Sequence, residues 1–108
     1  IVGPTGVTAS LQPTGPAVGM MPDAKFTIEH VKLEPADILI GYTDGVTEAR
    51  SSNGELYSKK RLQSLLKQPV ASAPELLKRI KTSLFSYTEN APQSDDITLL
   101  AVQRGTQI

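Results

Sequence analysis

Two apolar runs dominate the chain, Ile38-Leu39-Ile40-Gly41-Tyr42 and Ile97-Thr98-Leu99-Leu100-Ala101-Val102. Their length and content predict buried strands. Residues 26–33, Phe26-Thr27-Ile28-Glu29-His30-Val31-Lys32-Leu33, alternate as a half-buried strand whose apolar phase slips between Ile28 and Val31, which a bulge would reconcile. Glu34-Pro35-Ala36 then reads as a tight turn into a strand over 37–43, making a hairpin of the two. Upstream, Pro4, Pro13, Pro16 and Pro22 interleave with Gly3, Gly6, Gly15 and Gly19, which is turn chemistry around at most one short strand near 7–11.

The helical period appears later. Leu62, Leu65 and Leu66 share one face of a helix over 58–68 that Pro69 stops. Ser72-Ala73-Pro74-Glu75 has capping-box spacing, and Leu76, Leu77, Ile80, Leu84 and Tyr87 follow on one helical face until Asn90-Ala91-Pro92 ends it. Between the apolar run and the first helix, 44–54 is a polar loop with room for one helical turn. The order β, β-β, α-α, β predicts an α+β fold, a mainly antiparallel sheet covered on one face by two helices.

At 108 residues and 39% hydrophobic content the chain suits one domain over 1–108. Eleven basic and eleven acidic residues cancel, which favours neither nucleic acid nor an acidic membrane surface. The absence of cysteine excludes disulfides and thiolate metal sites and fits a reducing compartment, with the cytoplasm as the expectation. No apolar run approaches the roughly 20 residues of a membrane span, and no signal-peptide pattern opens the chain. A start at Ile1 rather than Met suggests a piece of something longer.

Candidate chemistry lies at the ends of the two apolar runs. Tyr42-Thr43-Asp44-Gly45-Val46-Thr47-Glu48 closes the first and Gln93-Ser94-Asp95-Asp96-Ile97-Thr98 opens the second. Laid antiparallel, the runs gather Asp44, Asp95 and Asp96 at one edge, a plan for a cation site. Magnesium and manganese take oxygen ligands and keep several waters, so one or two carboxylates per ion suffice. Gly45 permits a positive φ or a close backbone approach. Strand alternation would turn Asp95 and Asp96 to opposite sides, leaving one as a direct ligand. Taken singly, Asp-Gly and Ser-Asp-Asp are common turn sequences; it is their joint placement that points to function. A calcium loop fits less well, because ligands do not alternate after Asp44. His30, the only histidine, reads as a surface residue, and nothing supports a Ser-His-Asp set. Glu48 could orient a loop amide or reach a metal-bound water. Arg50, Lys59, Lys60 and Arg61 form a basic group that could grip a phosphate or acidic partner, against the plainer reading of an ordinary helix face.

At these stretches the sequence resembles the later half of the PPM-type metal-dependent serine/threonine phosphatases, in their bacterial RsbU/SpoIIE-like branch. Further landmarks run in the same order: Thr14-Gly15-Pro16-Ala17-Val18-Gly19, Leu33-Glu34-Pro35-Ala36-Asp37-Ile38-Leu39 and Gly54-Glu55-Leu56-Tyr57. The resemblance implies an αββα sandwich holding a binuclear Mn2+ or Mg2+ centre. It also implies hydrolysis of phosphoserine or phosphothreonine on a regulatory protein such as an anti-sigma-factor antagonist, with no covalent phosphoenzyme required. Position by position, Asp44 and Asp95 match metal-binding aspartates and Asp96 an accessory position. Gly45 and Glu48 would support the site through backbone or water contacts, and Arg50 would meet phosphate or partner. Ala36 and Ser58 stand where the family often has glycine. The family's earlier half, with its Gly-His-Gly motif and a further metal aspartate, has no counterpart in these residues. The chain alone is therefore expected to be nearly inactive, with exposed sheet edges inviting a homodimer or domain swap. The alternative is a catalytically degenerate, phosphatase-like protein-binding module in a signalling protein.

Overall fold

A computed structural model of the chain describes residues 1–89 and 91–106. Its centre is β3 (Ile38–Tyr42), which pairs antiparallel with β4 (Leu99–Gln103) in unbroken register from Ile38↔Gln103 to Tyr42↔Leu99. On its other edge β3 meets β1 (Val2–Gly3) through Val2↔Ile38, and β1 turns back into β2 (Gly6–Val7). The sheet order is β2-β1-β3-β4. One helical turn, α1 (Asp44–Thr47), follows β3, and α2 (Ser58–Leu66) and α3 (Ala73–Thr88) come between α1 and β4. The α+β class and the antiparallel sheet are as the sequence predicts.

Register decides which side chains are buried. Ile38, Ile40, Leu99 and Ala101 share the face that packs on the helices, where Val46, Leu62, Leu76, Ile80 and Leu84 are buried. Each such aliphatic side chain stabilises the fold by about 1.5–3 kcal/mol. The opposite row carries Leu100 and Val102, 62% and 48% exposed. The molecule is 18 Å through its thinnest dimension, the depth of one sheet and one helix layer. The described residues therefore form two layers, half the count of an αββα sandwich, and the outer edge of β4 has no partner strand among them.

The expected strand over 26–33 does not form, and neither does its hairpin with β3. Both edges of β3 are already taken. The 34–37 turn is instead tied to the far end of β4, by Ala36 N–H donating to Arg104 O at 2.9 Å and Arg104 Nη1 to Leu33 O at 2.6 Å. Phe26, Ile28 and Val31 remain exposed, as the broken alternation would leave them on any single face. The N-terminal strand is likewise displaced, to the β1–β2 hairpin rather than 7–11. The strand of the second apolar run begins at Leu99, two residues after Ile97.

The helices follow their signals closely. Ser72 Oγ accepts from Glu75 N–H at 3.3 Å, and the Glu75 carboxylate accepts from Ala71 N–H, one residue before the position a capping box uses. Asn90, first of the residues expected to end α3, lies outside the described residues; α3 closes at Thr88.

Ala36 and Ser58 both adopt positive φ, 73° and 74°. Around Ala36, Asp37 N–H donates to Glu34 O at 3.0 Å across Pro35, the pattern of a type II turn, whose third residue favours glycine. An L side chain there costs about 1–2 kcal/mol, partly offset because it also restricts the unfolded chain. Ala36→Gly and Ser58→Gly should therefore each stabilise the protein by about 0.5–1 kcal/mol, read as a raised midpoint in chemical denaturation; a lowered midpoint in both would contradict the turn assignment.

Candidate metal centre

Because β3 runs toward the start of β4, the two acidic stretches meet. Thr43 makes the junction. Its N–H donates to Thr98 O at 3.1 Å, its hydroxyl accepts from Thr98 N–H at 3.0 Å, and that hydroxyl donates to Asp96 O at 3.1 Å. Thr43 also stands at the N-cap of α1, where a hydroxyl ordinarily accepts from the helix's own N–H groups. Here the hydroxyl is spent across the sheet, and no side-chain cap is made.

Directly behind it, Gly45 is buried and packs against the Asp96 backbone, so that a Cβ added there would overlap the Asp96 carbonyl. Of the two roles the sequence leaves open for this glycine, the structure selects close approach. Val46, next along, is fully buried in the core, which anchors the turn that carries Asp44.

Asp44 is the exposed first residue of α1, and among the described residues no hydrogen bond or ion pair engages its carboxylate. It lines a hollow of about 390 Å³ with Tyr42, Thr47 and Lys59. Asp95 lies in the bend before β4, with Oδ1 accepting from Asp96 N–H at 2.8 Å. It lines a different hollow, of about 200 Å³, with Gly45, Arg50 and Glu89. Asp96, also exposed, contributes its carbonyl to the junction. Among the described residues no three His, Cys, Asp or Glu side chains group closely enough to hold an ion by themselves. The donor chemistry present, two exposed carboxylates on adjoining backbone tips, suits a hard divalent cation, and the number of ligands falls short of a complete cage.

The other candidates separate. Glu48 is exposed at the C-cap of α1 and donates its backbone N–H to Asp44 O at 2.8 Å. Arg50 Nη1 donates to Gly54 O at 2.9 Å, closing a small loop bridged by Arg50↔Leu56 while its side chain borders the Asp95 hollow. Arg61 is occupied elsewhere. It donates to Leu56 O and Tyr57 O, lies 3.8 Å from the Glu55 carboxylate and stacks 4.5 Å over Tyr87. His30 is exposed, outside any regular element.

Sequence reasoning missed Thr43 and Tyr57. Tyr57 is buried, its hydroxyl 2.6 Å from Ser83 Oγ and its ring 5.4 Å from Tyr87, and so fastens the 50–57 loop to α3. A tyrosine directly before a helix start was the available signal for it. Thr43 could have been found from its place between a strand end and an Asp-Gly turn.

Comparison with known proteins shows the family. The family model described as Stage II sporulation protein E (SpoIIE) matches residues 1–105. The chain belongs to this family, whose catalytic domains are PPM-type phosphatases. Its relatives include Protein IcfG of Synechocystis sp. (strain ATCC 27184 / PCC 6803 / Kazusa), 44% identical over 104 residues, which are 96% of this chain and 16% of that protein. Another is Phosphoserine phosphatase RsbU of Bacillus subtilis (strain 168), 33% identical over 95 residues, 87% of this chain and 28% of that protein. The chain thus spans less than a third of either relative. No solved structure matches it significantly.

Gly45→Ala should destabilise the chain by about 1–3 kcal/mol, since backbone rather than a movable side chain opposes the new methyl. Gly41→Ala, with open space around it, is the control and should stay within about 0.5 kcal/mol. Equal denaturation midpoints for the two variants would refute the close packing of the tips.

Proposed function

We propose that residues 1–108 form the later portion of a phosphatase-type catalytic domain that hydrolyses phosphoserine or phosphothreonine on a regulatory protein, such as an anti-sigma-factor antagonist. The carrying observation is the Thr43 junction, which brings two carboxylate-bearing turns together at the meeting ends of β3 and β4. Family membership and the printed name of the RsbU relative, a phosphoserine phosphatase, support the same reading.

In this account Asp44 and Asp95 each offer a carboxylate oxygen to Mn2+ or Mg2+, and Asp96 adds negative charge beside them. When bound, such ions neutralise charge on a transferring phosphoryl group and lower the pKa of water. The protein's own part is positional. Gly45 lets the tips close up, Thr43 fixes their separation, and Glu48 ties down the α1 turn through its backbone. Arg50, held by Gly54 O, borders the Asp95 hollow, where a guanidinium suits a phosphate or an acidic partner group.

The degenerate-module alternative draws on one observation, that Asp44 and Asp95 line separate hollows. Finding a Gly-His-Gly segment with its aspartates in the coding sequence upstream would favour the enzyme.

Calorimetry with Mn2+ tests the ligand assignment. Asp44→Asn and Asp95→Asn should each weaken binding at least about tenfold, or 1.4 kcal/mol. Unchanged affinity in both variants would remove the site. Given its incomplete ligand set, this chain alone should turn over a phosphoserine peptide no faster than background, and robust manganese-dependent turnover would contradict that expectation.

A further inference from the structure

The helix layer is charged in a way the neutral composition conceals. Between residues 58 and 88 lie seven basic side chains and one acidic one, Glu75, although basic and acidic residues balance over the whole chain. The remainder is correspondingly acidic, with Asp44, Glu48, Asp95 and Asp96 at or beside the strand-end tip. Such segregation orients an approaching charged partner and speeds its encounter.

The basic layer also has a receptive shape. A hollow of about 750 Å³ lies between α2 and α3, lined by those helices with Tyr57 and Gln68 and by no residue of the sheet. Lys60, Ser64 and Gln68 form one wall, Ser83, Ser86 and Tyr87 the other, and no acidic side chain lines it. Arg61 borders it with its guanidinium already satisfied by Leu56 O, Tyr57 O and Glu55. Lys60 is exposed and enters no salt bridge among the described residues, so its ammonium is free for a ligand. The hollow shares no lining residue with the two at the acidic tip.

We propose that this groove docks a short, extended acidic segment of a partner protein. The nine residues of α2 span about 13 Å, the length of roughly four residues of extended chain. Carboxylates on that segment meet Lys60, and the serine hydroxyls and Gln68 amide supply donors for its carboxylates and carbonyls. A nucleic acid fits less well. Tyr57 is buried and the Tyr87 ring is covered by Arg61, so neither offers a base-stacking platform. A bilayer surface is disfavoured by the groove's concavity, because its apolar lining residues, buried Tyr57 and half-buried Leu65, do not project to insert.

Fluorescence anisotropy with a labelled hexaglutamate peptide tests the docking. Lys60→Glu should weaken binding at least tenfold, while Lys32→Glu, the same charge change at an exposed site outside the layer, should weaken it less than twofold. Amide shifts on peptide addition should concentrate at Ser64, Ser83 and Ser86, and circular dichroism of each variant should match the parent. Four outcomes would overturn the proposal: no binding by the peptide, equal loss in the two variants, tighter Lys60-dependent binding of a single-stranded oligonucleotide, or the same for vesicles of three parts phosphatidylcholine to one part phosphatidylglycerol.

Discussion

One hydroxyl holds the two acid-bearing tips of this molecule together. Thr43 Oγ accepts from Thr98 N–H and donates to Asp96 O, and it can do both because β3 and β4 stay in register up to Tyr42↔Leu99. A net hydrogen bond contributes about 1 kcal/mol, so the junction is modest in energy. Its effect lies in what it excludes. With the Asp96 carbonyl fixed over Gly45, neither tip can swing away without undoing backbone contacts in the other. Buried Val46 ties the same turn to the helices, so the core and the candidate metal centre share one anchor.

The elements that organise the site were legible in the sequence because each carried a local and a nonlocal signal in agreement. The run at 38–42 is apolar and flanked by turn residues, and both long helices have matching periodicity and stop signals. Residues 26–33 show the limit of such reading. Their alternation resembled a strand, but whether a strand finds a partner is settled by competition for edges, and β4 and β1 had already occupied those of β3. That competition is nonlocal and leaves no mark within the segment, apart from the phase slip at Ile28. At the site, the meeting of the Thr43-Asp44 turn with the backbone of Asp96 and Thr98 followed from strand order alone. The Thr43 bridge and the separate hollows depend on side-chain directions that spacing does not encode.

Two sequence departures acquire a physical meaning from the backbone. Ala36 and Ser58 occupy left-handed conformations at the turn into β3 and the start of α2. Glycine is the residue such positions favour, and the chain tolerates the strain because hydrogen bonds to Glu34 and Arg104 hold the first turn from both sides. The uneven charge of the helix layer is equally silent in the composition, where opposite signs cancel. Net charge zero gives no overall attraction to a polyanion, and it leaves room for a local basic face.

On the proposed function, the two acid-bearing turns form one cation site. Paramagnetic broadening in the 15N-resolved spectrum on addition of substoichiometric Mn2+ tests it most directly. Amides of Gly45 and Val46 should broaden together with those of Asp96 and Ile97, at the same metal concentrations and ahead of the rest of the chain. Broadening at one turn without the other, or spread evenly over the acidic residues of the surface, would contradict the account.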